Sequence, residues 1–135
     1  MRAMLLIRGR SLDIYTLQIG AASKDEVADF FRSAGSRNDA AIGGMIELTR
    51  RVAQEGTRSF PPELFKCWRP GKKGPIICEL KKGRWRIACF PFSRERRLLL
   101  VSVFHKGRWK EGREYDRAVK RHNGFVASPE WREEG

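Results

Sequence analysis

Arginine, lysine and histidine crowd into two short stretches of this chain, "KGRWR" at 82–86 and "FHKGRWK" at 104–110. Side chains of this kind do chemistry on phosphates. A guanidinium makes planar, paired contacts with phosphate oxygens, and an ammonium is a mobile point charge. An imidazole can carry a proton near neutral pH. The tryptophans beside them, Trp85 and Trp109, offer faces on which an unpaired base could stack, at about 1–3 kcal/mol per base. For Trp85 a place in the core competes with that role, because its strand neighbours on the same face are apolar. The chain has no phosphate-binding glycine loop, HExxH or GxSxG. Its acid-rich stretch is the tail "SPEWREEG", so a metal nuclease built on clustered carboxylates is disfavoured. Phosphate chemistry here is expected to be run by cations, with no metal and no cofactor.

The charge balance points the same way. The 135 residues carry a formal net charge of +12. Residues 1–62 hold 9 basic and 7 acidic side chains, whereas 66–121 hold 18 and 5. A charge concentrated in one half indicates a polyanionic partner more than general solubility. No apolar run approaches the roughly 20 residues of a membrane span, and "MLLI" is too short for the core of a signal peptide. Cys67, Cys78 and Cys89 are odd in number and lack CxxC spacing, so small core residues are expected rather than a disulfide framework or a zinc site. A cytoplasmic protein without membrane attachment is the reading.

The elements that must position these side chains follow from periodicity. The chain length suits one domain spanning 1–135, ending in an acidic tail at about 125–135. "MLLIRGRSLDIYTLQI" reads as extended, with a break or bulge near Tyr15-Thr16. Ser23 and Glu26 form a capping-box pattern before Val27, Phe30, Phe31 and Ala34, which mark one face of a helix. Asn38 or Asp39 caps a second helix carrying Ile42, Met45, Ile46, Thr49, Val52 and Ala53, locally weakened by Gly43-Gly44 and stopped by Gly56. "PIICEL", "RWRIACF" and "RLLLVSVF" predict a meander of three antiparallel strands. "REYDRAVKRHNG" predicts a last helix, with Tyr115, Ala118, Val119 and His122 on its apolar stripe and Gly124 at its end. The expected fold class is α+β: a small, mostly antiparallel sheet of an N-terminal strand plus the meander, two N-terminal helices on one face, and a C-terminal helix. The first KGRW enters a strand and the second leaves one, so an internal duplication is not expected.

Strand alternation assigns Trp85, Ile87 and Cys89 to one face of the middle strand, and Arg84, Arg86, Ala88 and Phe90 to the other. The next strand sends Leu99, Val101, Val103 and His105 one way and Leu100, Ser102, Phe104 and Lys106 the other. The register is open at this level, so either His105 or Lys106 comes within reach of Arg84 and Arg86. Glu79 is placed to pair with one of the arginines. Lys81, Lys82, Arg108, Lys110 and Arg113 extend the positive field.

The segment 78–124 resembles the C-terminal half of RelE-superfamily toxins, in particular the HigB-like, phage-derived branch. The matching residues are Glu79-Leu80, Trp85-Arg86, Phe104-His105-Lys106 and Ala118. The resemblance implies a RelE-like fold and a toxin of a type II toxin–antitoxin system, a metal-independent endoribonuclease that cleaves mRNA on the ribosome. It implies a cognate antitoxin as partner, of the helix-turn-helix type. It implies catalytic roles for Arg86 at the scissile phosphate, for Lys106 against developing charge, and for His105 or Lys106 as general base or acid. Lys81, Lys82, Arg84, Arg108, Trp109 and Lys110 are then the RNA-binding set. The chain departs from the family pattern at Gly107, where a second lysine is usual, and in "RWKEGRE", where Arg108 or Lys110 stands to supply the missing charge. A non-catalytic basic nucleic-acid-binding module on the same fold is the alternative, and a domain docking an acidic protein is a third.

Overall fold

A computed structural model describes residues 1–37, 39–107 and 111–133, without the side chains of Ser36, Arg37 and Glu111. The chain opens with a hairpin, β1 (Arg2–Ile7) and β2 (Asp13–Gln18). Next come α1 (Glu26–Arg32), the single turn α2 (Ala34–Arg37) and α3 (Ala40–Glu55). A meander follows: β3 (Phe65–Trp68), β4 (Ile77–Lys82), β5 (Trp85–Phe92) and β6 (Arg97–His105). Last are α4 (Glu111–Ala127) and β7 (Trp131–Arg132).

All seven strands join one mixed sheet in the order β3-β4-β5-β6-β2-β1-β7, with β2–β6 and β1–β7 parallel and the other pairs antiparallel. This corrects the expectation of a small, mostly antiparallel sheet. The N-terminal extended segment is two strands that turn at 8–12 rather than breaking at Tyr15-Thr16, and short edge strands β3 and β7 are added.

Helices also cover both faces. One core gathers α1 and α3 residues (Val27, Phe30, Ile42, Met45, Leu48, Val52) over Leu80, Trp85, Ile87 and Cys89. The other seats Ala118 and Phe125 of α4 on Tyr15, Ala88, Phe90, Leu99 and Val101. The reason lies in β6, buried without a break from Leu98 to Phe104. A strand apolar on both sides needs a layer on each.

The pairing of β5 with β6 shifts register between Ala88 and Cys89, which face Ser102 and Leu100 and leave Val101 as an extra residue. This β-bulge interrupts alternation. Leu98, Leu100 and Val103 face α3, whereas Leu99 and Val101 face α4. Beyond the bulge, Phe104 lies on the α4 side, its ring 5.6 Å from that of Tyr115.

Local signals held in part. Asp39 caps α3 through the Ala41 N–H, and Gly56 ends it with its N–H on the Val52 carbonyl. Asn38 lies outside the described residues. At α1 the cap is Asp25, accepting from the Ala28 N–H, not Ser23. Ser23 instead accepts from Arg2, and Glu26 accepts from the Val103 N–H across the sheet. Helix α4 runs through Gly124 to Ala127. Cys67 and Cys78 are bonded as a disulfide, contrary to expectation, because the β3–β4 register sets them directly opposite. Cys78 and the free Cys89 are buried as expected, while Cys67 is exposed.

Candidate nucleic-acid interface

The meander arranges its cations in cross-strand rows on the α4 side of the sheet. Lys66 stands opposite Glu79, which stands opposite Ala88. In the next row Lys81 faces Arg86, and Arg86 faces Phe104. One step further the Lys106 N–H donates to the Arg84 carbonyl at 2.7 Å, continuing the ladder past the end of β6. Alternation therefore gives Lys66, Lys81, Arg84, Arg86 and Lys106 a common face. The bulge at Val101 decides that Lys106, and not His105, shares it with Arg86.

Arg86 is the anchored member. Its side chain is 12% exposed, and Nε lies 3.8 Å from Oε1 of Glu79. Nη1 donates to the carbonyls of Gly83 (2.7 Å) and Trp85 (2.8 Å), closing the β4–β5 turn. Among the described residues Nη2 makes no hydrogen bond. Glu79 is itself buried, and its Oε2 accepts from the Tyr115 hydroxyl at 2.8 Å. Tyr115 packs edge-on against Trp68, centroids 5.2 Å apart, and Lys66 Nζ lies 5.1 Å over the Trp68 ring. A buried carboxylate is stable only when its charge is met, and here Arg86 and Tyr115 meet it. Sequence had left Tyr115 as a packing residue and did not mark Lys66. The signal for both was the position of Glu79 inside an apolar strand.

Lys81 holds its proton less tightly than an ordinary lysine. Burial, then the adjacent Lys66 and Arg86 charges, pull its pKa below the ordinary 10.5, with Glu79 opposing. Arg84 and Lys106 are exposed.

Gly107 explains one departure from the toxin pattern. Its φ is +90°, and a Cβ there would come within 3.1 Å of Arg84 Nη1. A second lysine would be strained in this left-handed conformation and would crowd the guanidinium already present. Arg84 supplies a positive charge beside that position.

The other candidates lie elsewhere. His105 is on the α3 side, its ring edge-on to Trp85 with centroids 4.9 Å apart and its Nδ1 buried without a hydrogen-bond partner among the described residues. The sheet separates it from Arg86. Trp85 is a core residue whose Nε1 donates to Asp39. Lys82 also points to the α3 side, its stem lying where a Cβ on Gly44 would be, 2.6 Å from Cε. Arg108, Trp109 and Lys110 lie outside the described residues. The described part of the acidic tail lies away from the cationic face: β7 pairs with β1 at the far edge of the sheet, and Glu133 meets Arg8.

Among the described residues, no helix is long and apolar enough to cross a membrane, and no group of three or more His, Cys, Asp or Glu is placed to hold a metal ion. Compared with family models, with curated proteins and with solved structures, the chain matches none.

Proposed function

We propose that this domain binds RNA along the Lys66–Lys81–Arg84–Arg86–Lys106 face and acts as a metal-independent endoribonuclease of the type II toxin class. The observation that carries the reading is the pairing of a fixed guanidinium with an ammonium group on either side: Lys81 beside Arg86 on β4, and Lys106 just past the end of β6. In such a site Arg86 Nη2 holds a non-bridging oxygen of the scissile phosphate. A neutral amine takes the proton from the ribose 2′-hydroxyl as its oxygen attacks phosphorus. The bond to the 5′-oxygen breaks, and an ammonium protonates that leaving group, giving a 2′,3′-cyclic phosphate. Lys81 suits the first proton transfer because its proton is more weakly held, and Lys106 suits the second. Substrate mRNA on the ribosome, a helix-turn-helix antitoxin and a cytoplasmic location belong to this reading, which draws them from the resemblance of 78–124 to HigB-like toxins.

Primer extension on mRNA translated by ribosomes tests it. Wild type should cut, and Arg86→Ala and Lys106→Ala should each lose about 10²–10³ in rate, as for loss of one donor to a developing negative charge. Binding without cleavage by wild type selects the second reading, a non-catalytic nucleic-acid-binding module. The internal commitments of Arg86 and the placement of His105 across the sheet favour that alternative. Absence of RNA affinity at low salt sinks both.

A further inference from the structure

Cys67, Cys78 and Cys89 are spaced by eleven residues, and the meander brings them into one lateral row: Cys67 of β3 opposite Cys78 of β4, and Cys78 opposite Cys89 of β5. The first two are bonded and the third is free. Exposure grades along the row. Cys67 is exposed on the edge strand, Cys78 is 1% exposed and Cys89 is fully buried. Burial also raises the Cys89 thiol pKa well above its ordinary value, so it stays protonated. The bridge thus joins an exposed residue to a buried one, and a buried free thiol lies behind them.

The strand carrying Cys67 has little else to hold it. β3 is four residues long and pairs with β4 alone. Its side-chain anchors are Phe65, buried against the α3 side, and Trp68, packed on Tyr115. Beyond it the chain runs through "RPGKKGP", a stretch without helix or strand. Short edge elements of this kind occupy the low-stability end of a fold.

We propose that the Cys67–Cys78 bond is a thiol–disulfide exchange site for dithiol reductants, and that its reduction releases β3 from the sheet. One thiolate of the reductant attacks Sγ of Cys67, the exposed residue of the pair, and the Cys67–Cys78 bond breaks. Cys78 leaves as a thiolate and takes up a proton. The second thiol of the reductant then displaces Cys67 from the mixed disulfide, leaving two protein thiols and an oxidised reductant. Two electrons pass from reductant to protein, and attack is governed by access to the sulfur. The inference does not rest on the RNA-binding reading.

The test uses the full chain, treated with graded dithiothreitol in native buffer, alkylated with iodoacetamide and mapped by peptide mass spectrometry, with amide hydrogen exchange in parallel. Cys67 and Cys78 should become alkylated at dithiol concentrations that leave Cys89 unmodified. Exchange at Lys66–Trp68 should rise roughly tenfold or more while β5 and β6 stay protected. The Cys67→Ser variant should show the fast β3 exchange without reductant, and Cys89→Ser should behave as wild type. Alkylation of Cys89 together with the other two would mean global unfolding and would overturn the proposal. So would unchanged β3 exchange after the bridge is cut, or a bridge absent from protein purified without reductant.

Discussion

Glu26 and Arg121 meet at 3.3 Å although they belong to helices on opposite faces of the sheet. The contact is possible because β2 pairs with β6 only from Arg97 to Leu100, leaving the outer edge of 101–105 without a strand partner. Glu26 accepts the Val103 N–H at 2.8 Å, Arg121 donates to the Val101 carbonyl at 2.9 Å, and Arg117 joins Glu26 at 3.3 Å. Side chains from α1 and α4 thus satisfy backbone groups that an edge would expose, and they lock the two layers around the strand that leads to Lys106.

Substitutions at Glu26 should separate these roles. Glu26→Ala leaves the Val103 N–H without its acceptor and should cost about 1–3 kcal/mol in urea denaturation. Glu26→Gln keeps an acceptor and removes only partly solvated ion pairs, so its loss should stay under about 1 kcal/mol. Equal losses would mean that the charge, not the backbone cap, matters.

The exposed cations of the proposed interface should be separable from the fold. Arg84→Ala and Lys106→Ala should leave the denaturation midpoint unchanged, while each lowers the slope of log affinity for single-stranded RNA against log salt by about 0.7. Arg86→Ala should weaken binding and also destabilise the protein, by about 2 kcal/mol, because Glu79 loses a buried partner. Glu79→Gln in the same chain should restore most of that stability and none of the affinity.

Alkaline titration should report Lys81. Its folded pKa is lowered, so its positive charge is lost at a lower pH than that of an ordinary lysine. RNA affinity should begin to fall with rising pH earlier than the ordinary value of 10.5 implies, and Lys81→Arg should hold affinity flat over that interval. An identical decline in the variant would assign the titration to another group.

Acid titration should report Asp25. Burial raises its carboxyl above the ordinary 3.8, against hydrogen bonds from Thr16 and the Ala28 N–H. The folded protein therefore holds this proton more tightly than the unfolded chain. Its contribution to stability is fully present below the unfolded value and is lost as pH rises through the folded one. Asp25→Asn should remove that fall, so that wild-type stability relative to the variant declines as pH rises above the ordinary carboxylate value of 3.8.

Trp131 should matter beyond its two-residue strand. Its ring lies 4.8 Å from Tyr15, 5.0 Å from Phe125 and 5.1 Å from Phe92, and Arg97 stacks over it at 4.6 Å. Trp131→Ala should cost about 2–3 kcal/mol, at the lower end for an aromatic truncation because the site is partly exposed, read from thermal or urea unfolding.

Some of this was legible in the residues and some was not. Asp39 and Gly56 bracket α3 because caps are local chemistry. The β4–β5–β6 meander shows in its Ile, Val, Phe and Trp content. Strands of four and two residues carry no measurable period, so β3 and β7 stayed hidden, and with them the pairing that brings Cys67 to Cys78. The Ser23–Glu26 pattern was misleading because tertiary structure claimed Glu26 for Val103. Lys81, Arg84 and Arg86 were visible as charges, but the fixed state of Arg86 depends on Glu79 and on the Tyr115 hydroxyl that holds it, a partner distant in the chain and identifiable only after folding.

The extra residue at Val101 works as an odd–even switch on everything downstream. Were it paired regularly opposite Ala88 instead of bulged, every residue after it would be out of phase by one: His105 would swing to the guanidinium side and Lys106 to the opposite surface, with no residue of either cluster altered. The identity of the group beside Arg86 is thus set by one residue left out of the pairing, at a buried position that no ligand would touch.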